Sequence, residues 1–186
     1  MGCVQSRPEF NIVGIPKGAT LLKRLNTERS VFYIDNRQYL WKIHKENSVR
    51  DIKGAFENND VVSNIAVHRH LLVPETVLQR DPHTLIISMP MGGKDLFEII
   101  SKPFDWPYVS DQLYGIASGI KHLHRHGRAH RDIKPENIVQ YDGNLCLIDF
   151  DFAYALATSA HCGTEYFKCP REMTSRWACS NCDVSC

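Results

Sequence analysis

His130-Arg131-Asp132-Ile133-Lys134-Pro135-Glu136-Asn137 is a polar octapeptide whose acid, lysine and amide stand at fixed spacing around one proline. Two apolar runs follow it, Ile138-Val139 and Leu145-Cys146-Leu147-Ile148, which read as a strand pair delivering the chain to Asp149-Phe150-Asp151. A lone His-Arg-Asp arises by chance fairly often. The ordered loop, strand pair and acidic motif together are far more restrictive, and the rest of the chain is read outward from them.

Just upstream, Ser110–His126 has helical periodicity, with Leu113, Ile116, Ala117, Ile120 and Leu123 on one apolar face, Ser110 or Asp111 as cap and Gly127 as terminator. Asp95–Ser101 reads as a short helix, and Pro90-Met91-Gly92-Gly93 before it as a connector. Farther back the pattern changes. Val31-Phe32-Tyr33-Ile34 and Tyr39-Leu40-Trp41-Lys42-Ile43, separated by Asp35-Asn36-Arg37-Gln38, predict a hairpin. Residues 49–66 predict a helix, while Leu71-Leu72-Val73, stopped by Pro74, and Thr84–Met89 predict strands. A β-rich first half and a helical second half make an α+β, two-lobed arrangement.

Composition agrees with one ordinary globular domain: 186 residues, 43% hydrophobic, 23% charged, and a net charge of +1 from 22 basic and 21 acidic side chains. Near-neutral charge gives no case for nucleic acid. No run of about 18 apolar residues predicts a membrane span, and no secretory signal is apparent. The seven cysteines show no regular framework and are expected to be reduced, in the cytosol. Cys179, Cys182 and Cys186, with Cys169 or His161, have a spacing compatible with zinc, but no second properly spaced pair supports it. His122, His124 and His126 fall near a helix end, where cationic side chains favour the negative dipole.

In its octapeptide and acidic motif the sequence resembles the eukaryotic protein kinases, matching the H-R-D-x-x-x-x-N catalytic loop and nearly matching D-F-G. Residues 1–9 have no hydrophobic periodicity and read as a flexible leader; after it the resemblance implies a protein-kinase-like fold, with a small β-rich N-lobe over 10–89 and a partial helical C-lobe over 90–186. It implies transfer of the ATP γ-phosphate to serine or threonine of protein substrates. Asp132 would accept the substrate hydroxyl's proton, Lys134 would steady the transferring phosphate, and Asn137 and Asp149 would hold Mg2+. By the same resemblance Lys42 is the candidate for the nucleotide's α/β-phosphates, and Glu57 is its ion-pair partner, with Glu46 as the alternative. Val31 and Leu40 would roof the adenine site and Val139 would floor it. Cys162-Gly163-Thr164-Glu165-Tyr166 and Cys169-Pro170-Arg171-Glu172 resemble the end of an activation segment. Lys134 and Thr164 are similar to the serine/threonine pattern. Thr158 and Ser159 are candidate phosphosites able to pair with Arg131, or ordinary loop hydroxyls.

The departures are as informative. Leu25-Asn26-Thr27-Glu28-Arg29-Ser30-Val31 stands where the family carries G-x-G-x-x-G, so a poorer phosphate lid is expected. Leu40 replaces a small residue and narrows the adenine slot. Asp151 replaces the glycine of D-F-G and is expected to add a third carboxylate near the metal. Asn181-Cys182-Asp183-Val184-Ser185 resembles the start of the helix beneath the catalytic loop, and the sequence stops at Cys186, three residues after Asp183. Either a partner protein is expected to cover the apolar surface of an incomplete C-lobe, or the fold is expected to be marginal.

Met1-Gly2-Cys3-Val4-Gln5-Ser6 fits the N-myristoylation pattern M-G-x-x-x-[ST] and looks like the leaders of Src-family kinases. One myristoyl chain binds membranes only marginally, so Cys3 is the expected site of a second, palmitoyl anchor. These features predict a lipid-anchored kinase at the cytoplasmic face of a membrane, or a cytoplasmic one if unmodified. The competing expectation is a pseudokinase or adaptor with the same fold and no turnover. A truncated product without stable function is a third.

Overall fold

The computed structural model describes residues 15–22, 27, 29–65 and 67–155, which fall into two compact units. The first unit comprises the described residues up to Lys53 together with Glu75–Met91. It is a five-stranded antiparallel sheet made of β1 (Thr20–Leu21), β2 (Ser30–Ile34), β3 (Tyr39–Lys45), β4 (Thr76–Asp81) and β5 (Thr84–Pro90), in the order β1-β2-β3-β5-β4. The expected hairpin is β2–β3, rich in β-branched and aromatic residues that suit a pleated surface. Its turn is held by Asp35, and Gln38 adopts the left-handed conformation with φ of 62°. Tyr33, Tyr39, Trp41, Ile43 and Ile86 cluster with Ile15 on one face of the sheet.

Two strand expectations need correction. Leu71-Leu72-Val73 forms no strand; Leu71 makes a single parallel bridge to Leu147, and Pro74 prevents the ladder from continuing. The edge strand β4 has no counterpart in the sequence expectations. It pairs only with β5, and Gln79, Arg80 and Asp81 interrupt any apolar run. An edge strand with one wet face needs no such run, so periodicity is silent there.

The second unit comprises, among the described residues, 54–65, 67–74 and 92–155. Helix α1 (Val49–Ser63) begins in the first unit and continues in this one. It ends before the predicted residue 66, where Ile65 N–H donates to the Val62 carbonyl in a tight turn. Helix α2 (Leu96–Ile100) is capped by Asp95, whose carboxylate accepts from Glu98 N–H at 2.7 Å. Helix α3 (Trp106–Arg125) starts four residues before the predicted Ser110, because Asp105 is the cap, accepting from Tyr108 N–H, and Pro107 suits a first turn. Gly127, at φ 71°, follows its end as expected. The buried stripe is Val109, Gln112, Ile116, Gly119, Ile120 and Leu123; Ala117, assigned to that face from periodicity, is exposed.

Strands β6 (Ile138–Tyr141) and β7 (Asn144–Leu147) form the hairpin beyond the octapeptide. Leu145 and Leu147 join Val62, Leu71, Leu96, Ile116, Leu123 and Phe150 in one core. Gln112 belongs to that interior because its side-chain oxygen accepts Leu145 N–H at 2.9 Å. Among the described residues no helix is long and apolar enough to cross a membrane.

Candidate active site

The octapeptide loop is folded by its own polar groups. His130 is fully buried; its Nε2–H donates to the Ile148 carbonyl at 2.9 Å while Nδ1 accepts Asp132 N–H at 3.3 Å. Those partners place the proton on Nε2. The ring also meets Phe150 edge-on at 5.2 Å, so the loop and the acidic motif share one support. Arg131 takes φ of 70°, and its guanidinium lies 5.7 Å from the Tyr154 ring centre.

Asp132 is 5% exposed, and its Oδ2 accepts from Lys134 Nζ and from Asn137 Nδ2, each at 2.9 Å. Two donors on one oxygen fix the rotation of the carboxylate. A 3-10 turn over Pro135–Asn137 returns the chain so that Asn137 Nδ2 also donates to the Asp132 carbonyl at 2.8 Å. The Asn137 amide nitrogen is thereby committed, and its carbonyl oxygen is the atom this side chain can offer a cation. The Asn137 main-chain carbonyl accepts Ile148 N–H at 2.9 Å, which brings Asn137 beside the start of the acidic motif. There Asp149 is half-buried with φ of 66°, a left-handed conformation that costs a non-glycine residue roughly 1–3 kcal/mol and recurs at functional sites.

The protein kinase domain family matches residues 31–184. This chain belongs to the protein kinase family. It is 26% identical over 184 residues to a probable myosin light chain kinase of Dictyostelium discoideum, an alignment covering 89% of this chain and 50% of that protein. It is 32% identical over 145 residues to serine/threonine-protein kinase DCLK1 of Rattus norvegicus, covering 72% of this chain and 33% of that protein. For DCLK1 of Mus musculus the figures are 32%, 72% and 19%. The chain thus spans half or less of the length of these relatives. Its kinase fold has the β-rich first part and helical second part that the family architecture requires.

The remaining kinase candidates occupy definite places. Lys42 is a central residue of β3, 8% exposed, directly opposite Phe32 on β2 and Ile87 on β5. Leu40, two residues earlier on β3, shares its face. Val31 does not: it pairs with Ile43, so alternation puts it on the opposite face, with the Trp41 cluster. Phe32 and Ile34 stand on the Lys42 face instead, and sequence reasoning missed them because a one-residue change of register exchanges the faces. Glu57 lies on the exposed side of α1, in the second unit. The alternative acid, Glu46, is engaged by Arg29 at 2.9 Å and His44 at 3.3 Å.

Val139 is buried on β6 opposite Cys146 and packs with Leu72 and Ile148; a side chain at Gly92 would collide with it. Burial, with a smaller contribution from Asp142, pushes the Cys146 thiol up to about 11, so it is an inert core group. His122 and His126 rings lie 4.5 Å apart, and His126 Nδ1 bonds the His122 carbonyl at 2.9 Å within the helix end. Gly2, Cys3, Thr158, Ser159, His161, the segment 162–172 and the terminal cysteines lie outside the described residues.

Asp151, expected as a third carboxylate near the metal, is held by α1. Its Oδ1 accepts from Asn59 Nδ2 at 2.9 Å and its main-chain carbonyl from Asn58 Nδ2 at 2.8 Å, so its carboxylate is engaged by α1. Asn58 and Asn59 carry no sequence signal, because asparagines on a helix normally read as a solvated face.

Proposed function

We propose that this chain is a kinase catalytic unit that transfers the γ-phosphoryl group of ATP to serine or threonine of protein substrates, with Mg2+ as cofactor. The observation carrying this reading is the pair of donors, Lys134 and Asn137, converging on Asp132 Oδ2 at 2.9 Å each. Asp132, so oriented, accepts the proton of the attacking hydroxyl. Lys134 has a partly exposed side chain, so its ammonium can meet a phosphate at the surface while touching Asp132.

The residues suit the cofactor. Mg2+ is normally held by one or two protein oxygens and completed by phosphate and water, and the Asn137 carbonyl oxygen and the Asp149 carboxylate are such hard donors. When bound, Mg·ATP supplies the phosphoryl group and the charge that neutralises its transfer. Within the first unit, Lys42 is the candidate for the nucleotide phosphates and Leu40, with Phe32 sharing its face, for the adenine side. Val31 was assigned there by sequence but faces the other way. Within the second unit Val139 is the adenine-side candidate, and Glu57 the acid assigned to Lys42 by family resemblance.

Lipid anchoring at the cytoplasmic face of a membrane through Gly2 and Cys3 is a separate part of the proposal, supported by the first six residues alone. A Gly2→Ala variant should leave the membrane fraction; retention at the wild-type level would count against it.

The decisive experiment is transfer of labelled phosphate from ATP with Mg2+ to a generic protein substrate, wild type against Asp132→Asn. Transfer lost in the variant is the expected result. A folded wild type that transfers nothing, alone or with cell extract, would favour the adaptor reading, which the glycine-free segment before β2 and the bulky Leu40 support.

A further inference from the structure

We propose that Asn58 and Asn59 of α1 are positioning residues: they grip Asp151 and thereby hold Asp149 in the conformation needed to take Mg2+. The proposal rests on the kinase reading above.

Asn58 and Asn59 are adjacent in a helix interior, and they are 2% and 1% exposed. Asparagine is a mediocre helix former, and its amide is costly to bury without partners. Here both amides are answered. Asn59 Nδ2 gives one hydrogen to the Ala55 carbonyl at 2.9 Å and the other to Asp151 Oδ1. Asn58 Nδ2 donates to the Asp151 carbonyl, and its Oδ1 accepts from Arg128 at 3.4 Å. Arg128 in turn reaches the Ala153 carbonyl at 3.3 Å, and Ala129 N–H donates to the Tyr154 carbonyl at 3.0 Å. The segment 151–154 is therefore tied to the helix and to the strand-like residues preceding His130.

Asp149 sits two residues upstream in a left-handed conformation, which persists only where its surroundings over-determine it. On one side His130 and Phe150 provide that constraint. On the other side the clasp does. A glycine at 151 would keep the carbonyl contact, lose the carboxylate and leave one buried Asn59 N–H without an acceptor. Restoring the family's usual glycine should thus impair this protein rather than improve it.

The test uses the full chain and measures binding of a fluorescent ATP analogue as Mg2+ is titrated, alongside the thermal midpoint and hydrogen exchange at 149–154. Asp151→Asn preserves the accepting oxygen and should bind at wild-type Mg2+ concentration. Asp151→Gly and Asn59→Leu should need about tenfold more Mg2+ or higher, as is usual when support of a metal ligand is removed. The double variant Asn59→Leu/Asp151→Gly removes both polar partners and should regain thermal stability without regaining Mg2+ affinity. If affinity returns with stability, or if Asp151→Gly binds Mg2+ like wild type, the positioning role is overturned. A wild type that binds no nucleotide overturns the kinase reading and the positioning role together. Hydrogen exchange then separates the grip itself: unchanged protection of 149–154 in Asp151→Gly overturns that as well, and lost protection leaves it standing.

Discussion

Asp35 in the first unit and Asp132 in the second are both 5% exposed and both organise a polar chain reversal, yet they are surrounded by different donors. Asp35 accepts from Arg37 N–H at 2.8 Å, Tyr39 N–H at 3.1 Å and Trp41 Nε1–H at 3.1 Å. Two of these are main-chain amides and the third an indole locked in the core; the half-exposed Arg37 guanidinium adds a looser ion pair at 3.6 Å. Asp132 accepts from a lysine ammonium and a carboxamide, side chains that can also meet a phosphate or a cation. A buried carboxylate is thus no sign of chemistry in itself. The short hydrogen bonds decide: main-chain and core donors make a turn even with a surface arginine beside it, while an ammonium and a carboxamide at 2.9 Å make a candidate site.

Asp132→Asn and Asp35→Asn test that contrast most severely. The first should reduce phosphate transfer about 10²–10⁴-fold with little change in melting temperature. The second should leave transfer intact. Trp41→Phe removes a donor from the Asp35 turn and should lower stability in denaturant by about 1.5–3 kcal/mol, since the bond is to a charged acceptor. Wild-type stability in that variant would break the comparison.

Gly115 probes packing in the second unit, where an added Cβ would run into the His70 ring, itself bonded through Nδ1 to the Leu145 carbonyl at 2.8 Å. Gly115→Ala should destabilise by about 1–3 kcal/mol in the same denaturation measurement. On the first unit's Lys42 face, Leu40→Ala should widen the proposed nucleotide slot and tighten nucleotide binding by about tenfold in a fluorescence titration. Weaker binding would make Leu40 a contact rather than an obstruction.

The smallest effect is a pH dependence. Burial lowers the His68 pKa from its ordinary 6.5, helped by the charges of His122, His70 and Arg69. The unfolded chain therefore binds that proton more readily, so the contribution is complete above about pH 6.5 and is lost as pH falls from there toward the depressed folded value. Melting temperature should decline between about pH 7.5 and pH 5.5, and His68→Asn should flatten the decline. Asp35 acts in a lower window. Burial would raise its pKa, but hydrogen bonds from Tyr39, Trp41 and Arg37 with the Arg37 charge outweigh it, so its contribution is lost only below about pH 4.

The sequence by itself determined the octapeptide and the acidic motif, the β2–β3 hairpin and the course of α2 and most of α3. These rest on short-range rules of spacing, capping and alternation that act within a few residues. It did not determine β4, the true cap Asp105, the face of Val31 or the partners of Asp151. An edge strand needs no apolar run, and strand register settles which side a residue faces. The Asn59–Asp151 bond spans 92 residues of chain, so only the tertiary structure could make two polar helix residues partners of the acidic motif.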